Sequence, residues 1–512
     1  MSVGKKVRRP KLYRNKFNLS HERRLSADMF YLYPVLVDDV IPGDIWRIGN
    51  EIVVRMNPLV APIMHEINVF IHYYFVPNRL LWDQWEDYIT GGRDGNFVAP
   101  EPRVPVISFS CGSLYDHLGF GDISNSSSTF LNVPLAYPLY AYNLIFNEYY
   151  RDPNLEDPVS LYFVDDTKPN SLHVRCWEKD YFTSMLPWQQ RGDAPSIPIT
   201  FEGTVPLNWG PFRSSPFDNS QVVQVYPGNV EIGATSVPAT TLLSQWFDTA
   251  RLDVSELNDV SYTFDVNDMR LMFQIQKYLE RNARVGPRYV EQLRGRYGSS
   301  PTDDRLQRPE YIGGSKTPII ISEVLQTSET TINSPQGRMA GHGLSADRTY
   351  CGTYKCREHG VIMGIMSIMP KPMYMQGVDR VWLKSDKFDY PHPEFVNLSE
   401  QAVKQSEIYN LSDATDRIIG YQGRYDEYRW KRSTVHGLFR TTSFMSWHMA
   451  RSFDDPPTLN LDLVRPNFSE RDYLKRGLAV DSEDMFLITL GNKCHVTRSL
   501  PYMAEPGLID HN

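Results

Sequence analysis

The sequence predicts an all-β body with helical loop insertions. Three observations lead there. The 32 Gly and 36 Pro are spread along all 512 residues, which favours many turns and long ordered loops over long helices. Strand-like runs near both ends flank a helical, loop-rich middle, a layout that does not fit the regular alternation of a parallel α/β fold. The clearest strand, His65–Pro77, alternates Ile67, Val69, Ile71, Tyr73 and Phe75 on one face. These features describe an antiparallel barrel or sandwich with large insertions between strands.

Before that strand, Met29–Met56 reads as extended segments broken at Pro34 and at Pro42-Gly43, with Gly49-Asn50 as a hairpin turn. The other face of His65–Pro77 carries Phe70, Tyr74 and Val76, so burial is expected on both sides. A helix should follow, with Asn78 as its cap, Leu81, Trp85 and Ile89 on one stripe, and Gly91-Gly92 at its end. Tyr137–Asn154 is a second helix, stopped by Pro153. Phe201–Asp248 (201–248) is rich in Ser, Thr, Asn, Gly and Pro and reads as a surface excursion. Residues 267–298 form a helical insertion. Leu271, Ile275, Tyr278 and Leu279 lie on one face, Gly286-Pro287 breaks the helix, and Tyr289, Val290 and Leu293 point inward in the next. Strand-like runs return at Thr317–Gln326, Gly360–Pro370, Val435–Met445 and Asp484–Pro501. Arg305–Thr330 is read as a connector, or in its first half as an ordinary intramolecular loop: Gly313-Gly314 supply a bend, Pro318 leads into a strand, and Ile319–Ile321 begin a buried run. The expected organisation is a basic arm at 1–16 and a single domain at 17–512.

The chain is poor in recognisable chemistry. Cys111, Cys176, Cys351, Cys356 and Cys494 are odd in number and scattered, which argues against a disulfide framework. Cys351 and Cys356 have no second pair to complete a zinc site. No phosphate loop is present, because Gly337–Gly343 lacks the Lys-Ser/Thr ending. The histidines have no acidic partner at a useful spacing. The acid pairs Asp38-Asp39, Asp165-Asp166, Asp303-Asp304 and Asp454-Asp455 lack the alternating oxygen ligands of a calcium loop. No catalytic residue, metal or cofactor is therefore expected. A basic N-terminus without an apolar core argues against a signal peptide, and no apolar run approaches the about 18 residues of a membrane span.

Charge supplies the one constellation with leverage. Lys5, Lys6, Arg8, Arg9, Lys11, Arg14 and Lys16 precede any acid, so an arm of +7 is attached to a remainder of −15 within a net −8. A basic arm on an acidic body suits a polyanion. Tyr13 and Phe17 either stack on bases or tie the arm to the body. Arg424, Arg429, Lys431 and Arg432, interleaved with Tyr421, Tyr425, Tyr428 and Trp430, form a second basic cluster. It reads either as a stacking platform or, preferred here, as a core strand with a charged outer face.

Long stretches then carry a resemblance. They include "FNLSHERRLSADMFYLYPVLVDDVIPGD" (Phe17–Asp44), "MNPLVAPIMHEINVFIHYYFVPNRLLWDQWEDYITGG" (Met56–Gly92), "DYFTSMLPWQQRG" (Asp180–Gly192), "GYQGRYDEYRWKRSTVHGLFR" (Gly420–Arg440) and "PGLIDHN" (Pro506–Asn512). In these the chain resembles the major capsid proteins of the Microviridae, the small tailless single-stranded-DNA phages, and above all their gokushovirus-like branch. The resemblance implies an eight-stranded viral jelly roll and a T=1 shell of sixty copies, with pentamers within it, around a circular single-stranded DNA genome. It also implies other structural, scaffolding or DNA-packaging proteins of the phage, assembly in the cytoplasm of a bacterial host, and room for a host-cell receptor. By the same resemblance, 201–248 is the candidate for a projection at the threefold axes. A phage spike or receptor-binding protein is the alternative, and a carbohydrate-active β-sandwich enzyme a third reading.

Overall fold

Two antiparallel sheets stack face to face, and a helical layer covers the far side of the smaller one. The structure, a computed structural model, describes residues 14–104, 111–120, 134–162, 171–195, 200–202, 261–263, 266–325, 339–398, 400–411 and 417–503. The chain divides into one unit of residues 1–191 and 280–512, which holds both sheets, and a second of residues 192–279.

The larger sheet joins β1 (Asn15–Asn18), β2 (His21–Ala27), β4 (Ile45–Met56), β9 (Ile320–Leu325), β10 (Met339–Lys355) and β14 (Phe486–Arg498). Its order is β1-β14-β4-β10-β9, with β2 beside β1 along the same edge of β14. The smaller sheet joins β3 (Tyr33–Val40), β5 (Ile67–Pro77), β8 (Glu310–Pro318) and β11 (Gly360–Pro370) in the order β3-β11-β5-β8. A short pair, β12 (Gln401–Lys404) with β13 (Ile418–Gln422), stands apart, as does β6 (Thr200–Glu202) with β7 (Ser261–Thr263) in the second unit.

Period-two patterning explains the stacking. Trp46, Ile48, Ile52 and Val54 of β4 meet Ile67, Val69, Ile71, Tyr73 and Phe75 of β5 in the main core between the sheets. The opposite face of β5 presents Tyr74 and Val76, and that of β11 presents Val361, Met363 and Ile365. These pack on Leu81, Tyr115, Leu139, Tyr142 and Ile145. Every residue of β11 is buried. Burial on both sides of β5, expected from the sequence, therefore holds. Each fully buried aliphatic side chain contributes about 1.5–3 kcal/mol. The covering helices are α1 (Asn78–Leu81), α2 (Trp85–Thr90), α3 (Leu114–Leu118) and α4 (Tyr137–Ile145), which runs on as a π-turn to Tyr150.

Several local expectations are corrected. Gly49-Asn50 is not a turn but the middle of β4. Asn50 is buried there and donates to Ser315 Oγ at 2.9 Å, opposite a bulge at Tyr350/Gly352 in β10. Gly313-Gly314 are not a bend; both lie within β8. A Cβ on Gly313 would sit 2.0 Å from the Cys351 carbonyl oxygen, so the glycine serves a close backbone approach between β8 and β10. Of Ile319–Ile321 only Ile319 is buried. The helix predicted after β5 is interrupted, because Trp82 is extended, and Pro77 rather than Asn78 occupies its cap. Val435–Met445 is not a strand. Gly437 at φ +66° starts 3-10 turns whose Phe439 and Met445 pack on a small satellite core with Val435 and Ala450.

The predicted helical insertion appears as α5 (Val266–Val285) and α6 (Tyr289–Tyr297), divided at Gly286 with φ +99°. Leu271, Ile275 and Tyr278 are exposed, and Tyr289 points outward rather than inward. The short helices α7 (Leu461–Val464) and α8 (Phe468–Leu474) complete the chain order, each capped by an Asn side chain (Asn460 and Asn467). No helix among the described residues is long and apolar enough to cross a membrane. The excursion expected at 201–248 lies outside the described residues except for Phe201 and Glu202.

Candidate nucleic-acid interface

Among the described residues the outer face of the large sheet has no covering layer. Strand register fixes which residues share it. Outward positions are Arg47, Gly49, Glu51, Val53 and Arg55 on β4, matched by His495, Lys493, Gly491, Thr489 and Leu487 on β14 and by Thr353, Tyr350, Arg348, Ala346 and Leu344 on β10. Lys16 on β1 pairs with Thr497, while Glu22 and Arg24 on β2 pair with Gly491 and Thr489. Lys355 lies at the end of β10 opposite Ile45.

This single face gathers seven cations (Lys16, Arg24, Arg47, Arg55, Arg348, Lys355 and Lys493) against two acids, Glu22 and Glu51. It is strongly basic on a chain whose net charge is −8. Glu51 is bracketed by Lys493 at 2.8 Å and Arg348 at 3.0 Å. The hydrogen bond from Lys493 comes first among the causes that hold its carboxyl below the usual range. Arg24 reaches Glu22 at 3.6 Å. Lys16, Arg47, Arg55 and Lys355 are exposed and make no ion pair among the described residues. Tyr350, Leu344 and Leu487 stand among the cations, largely exposed. Cations interspersed with an aromatic and apolar surface can track a phosphate backbone and meet base faces.

Of the arm residues proposed from sequence, Lys5, Lys6, Arg8, Arg9 and Lys11 lie outside the described residues, as does Tyr13. Arg14 is exposed immediately before β1. Lys16 joins the basic face, so the arm leaves from the edge of that face. Phe17 stacks on Tyr502, with centroids 6.1 Å apart, and thus anchors the arm's root.

The second basic cluster is neither a strand nor one surface. Its centre is a 3-10 turn at Asp426–Tyr428. Arg432 is nearly buried and donates to Asp379 at 2.5 Å and to the Gly377 carbonyl. Arg429 pairs with Asp426, and Tyr425 is buried. Only Tyr428, Trp430 and Lys431 remain well exposed beside Arg429. Cys351 sits at the β10 bulge and Cys356 is fully buried; burial raises the Cys351 thiol to about 11. Among the described residues no three His, Cys, Asp or Glu side chains converge on a metal position.

Sequence reasoning missed Arg24, Arg47, Arg55, Arg348, Lys355 and Lys493. The signal was present in Arg47-x-Gly49-x-Glu51-x-Val53-x-Arg55, a period-two polar face opposite Trp46, Ile48, Ile52 and Val54. The turn assigned to Gly49-Asn50 hid it.

The family model for "Capsid protein (F protein)" matches residues 5–508. The chain belongs to this phage capsid protein family. Capsid protein VP1 of Chlamydia phage 1 is 32% identical, over 97% of this chain and 96% of its own. Capsid protein VP1 of Bdellovibrio phage phiMH2K is also 32% identical, over 92% and 90%. Capsid protein VP1 of Spiroplasma virus 4 is 26% identical, over 97% and 95%. The first two relatives belong to gokushoviruses of the Microviridae. The protein is thus a structural major capsid protein, a virion component and not an enzyme, and it works by assembly into a multi-subunit shell.

Proposed function

We propose that this capsid protein tiles a T=1 shell of sixty copies, through pentamers, around a circular single-stranded DNA genome. The basic sheet face and the N-terminal arm are turned toward that DNA. The observation carrying this reading is the concentration of seven cations on one uncovered face, continuous with the root of a +7 arm, in a chain of net −8. Phosphate neutralisation supplies a physical reason for an acidic chain to segregate its positive charge in this way.

We also read the two-sheet body as an eight-stranded viral jelly roll. β1 and β2 count as one strand position and β9 as an extra edge strand. The eight positions then run 1-8-3-6 in one sheet and 2-7-4-5 in the other, all antiparallel. That interleaving of distant strands supports a double Greek-key sandwich.

The test is a titration of the full-length protein with a single-stranded oligonucleotide at several salt concentrations. The triple variant R47Q/R55Q/K355Q should weaken binding and flatten the dependence of log K on log salt by about 2, from roughly 0.7 per lost contact. Its thermal stability should stay within about 0.5 kcal/mol of the parent, since these side chains are exposed and make no ion pair among the described residues. An unchanged salt slope would remove the sheet face from the interface.

A further inference from the structure

Five aromatic side chains, Trp382, Phe388, Tyr390, Tyr428 and Trp430, stand exposed on neighbouring loops; Trp382 is 80% and Trp430 64% accessible. Lys384 links them. Its Nζ donates to the Tyr428 hydroxyl at 2.5 Å and lies 4.0 Å from the centre of the Tyr390 ring. Lys384, Lys387, Arg424 and Lys431 have no carboxylate partner among the described residues. The local acids are occupied: Asp389 accepts from Ser385 and from the Asp386 backbone, and Asp426 holds Arg429. With Asp386, Asp389 and Asp426 counted, the patch is far less positive than the sheet face. It is therefore poorly suited to a polyanion, while its Trp and Tyr content suits a protein partner.

The same chain carries a surface that complements it. Asp454-Asp455-Pro456-Pro457 lines an open groove with Asp462 and Tyr473. Gln376 clamps the base of this loop, accepting from the Phe453 N–H at 2.8 Å and donating to the Phe453 carbonyl at 2.7 Å. Asp454, Asp455 and Asp462 are exposed, and their carboxylates have no cation partner among the described residues. Proline rings pack well on aromatic faces, and free acids match free lysines.

We propose that the Trp382/Trp430 patch receives the Asp454–Pro457 loop of a second copy of this chain. Two different patches of one chain then meet head to tail, the kind of contact that closes into rings. This joint rests on the shell reading above and names one contact that such a shell uses.

The test compares assembly of the full-length protein with that of K384E/K431E, of D454K/D455K and of the fourfold charge swap, by electron microscopy and sedimentation. The parent should form closed particles. Each reversal should reduce particle yield at least tenfold while leaving a folded subunit by circular dichroism, and the fourfold swap should restore particles. In parallel, carbodiimide treatment of parent particles, built from mixed isotope-labelled subunits, should give amide cross-links between Lys384 or Lys431 and Asp454 or Asp455 of different copies. This second readout does not depend on how the variants fold. Parent-like assembly of either reversal, absence of those cross-links, or photochemical cross-linking of Trp382 and Trp430 to packaged nucleic acid would overturn the joint. A parent that forms no closed particle would instead count against the shell reading itself.

Discussion

Acidification from pH 6.5 toward pH 4 is expected to destabilise the subunit by many kcal/mol. Three histidines, His65, His72 and His173, are each held at about 4 instead of 6.5, first by burial. The surroundings explain why. His65 Nε2 donates to the Lys371 carbonyl at 2.7 Å, which leaves Nδ1 to accept from the Met449 N–H at 3.4 Å. A proton on Nδ1 would face that donor, with His448 and Arg476 nearby, and burial outweighs the Lys371 carbonyl and Glu66, which favour the charged ring. His72 bonds the Tyr150 hydroxyl at 2.8 Å under the field of Arg175. His173 lies between Tyr142 and Phe146, donates to Asn143 Oδ1 at 2.9 Å and senses Arg465. His117 and His448 are lowered as well, again by burial first.

The sign follows from linkage. The unfolded chain binds these protons near pH 6.5, whereas the folded chain refuses them until about pH 4. Stability is therefore fully present above pH 6.5 and is lost as pH falls through this window. Each of the three displacements corresponds to about 3 kcal/mol, against a typical domain stability of about 5–15 kcal/mol. Asp38, Asp39, Glu310 and Glu407, raised by burial, offset part of the loss because protonation relieves them. Denaturant unfolding of the dissociated subunit at pH 7, 6, 5 and 4.5 should show uptake of roughly three protons. His173→Gln should remove about one of them. A flat profile across that range would show that these rings are not held neutral.

The second large effect is expected at Arg451. Its side chain is 1% exposed and grips Glu470 through Nε at 2.7 Å and Nη2 at 3.4 Å. The guanidinium lies 5.0 Å from Trp177 and 5.1 Å from Phe453, and its backbone N–H donates to the Met373 carbonyl. Arg451→Ala leaves the Glu470 carboxylate, mostly enclosed, without its counter-charge and opens a void beside two aromatic rings. Removing one partner of such a pair costs about 3–5 kcal/mol. Arg451→Met with Glu470→Leu should recover most of that loss, because burying apolar groups of similar volume leaves no unpaired charge. Measured unfolding free energies decide this. A loss under about 1 kcal/mol for Arg451→Ala would mean that Glu470 reaches water freely.

Much of the β framework could be read from the sequence, because strands buried on one or both faces write their burial into period-two patterning. β5 and β14 were legible for that reason, and β11 as an unbroken apolar run buried on both faces. β10 was not, because its inward residues Gly341, Gly343 and Ser345 are small. Close packing there replaces the large apolar side chains that periodicity detects, as the Cβ of Gly343 would meet Met56 Cβ at 2.8 Å. Helical segments were found where amphipathicity was strong, as in α5. Which way such a face points depends on what covers it, and Leu271, Ile275 and Tyr278 are left exposed. Lys16 was named from the charge run alone. Its companions Arg47, Arg55, Arg348, Lys355 and Lys493 come from three distant strands, and only the register of β4 with β10 and β14 brings them together.

Electron cryo-microscopy of native particles, refined far enough to trace β4, β10 and β14 and to show the packaged nucleic acid, tests the account most directly. It should show sixty copies closing one shell, with Arg47, Arg55 and Lys355 lining the inner wall against DNA density. Open assemblies, or a closed shell with that sheet face turned outward to solvent, would contradict it.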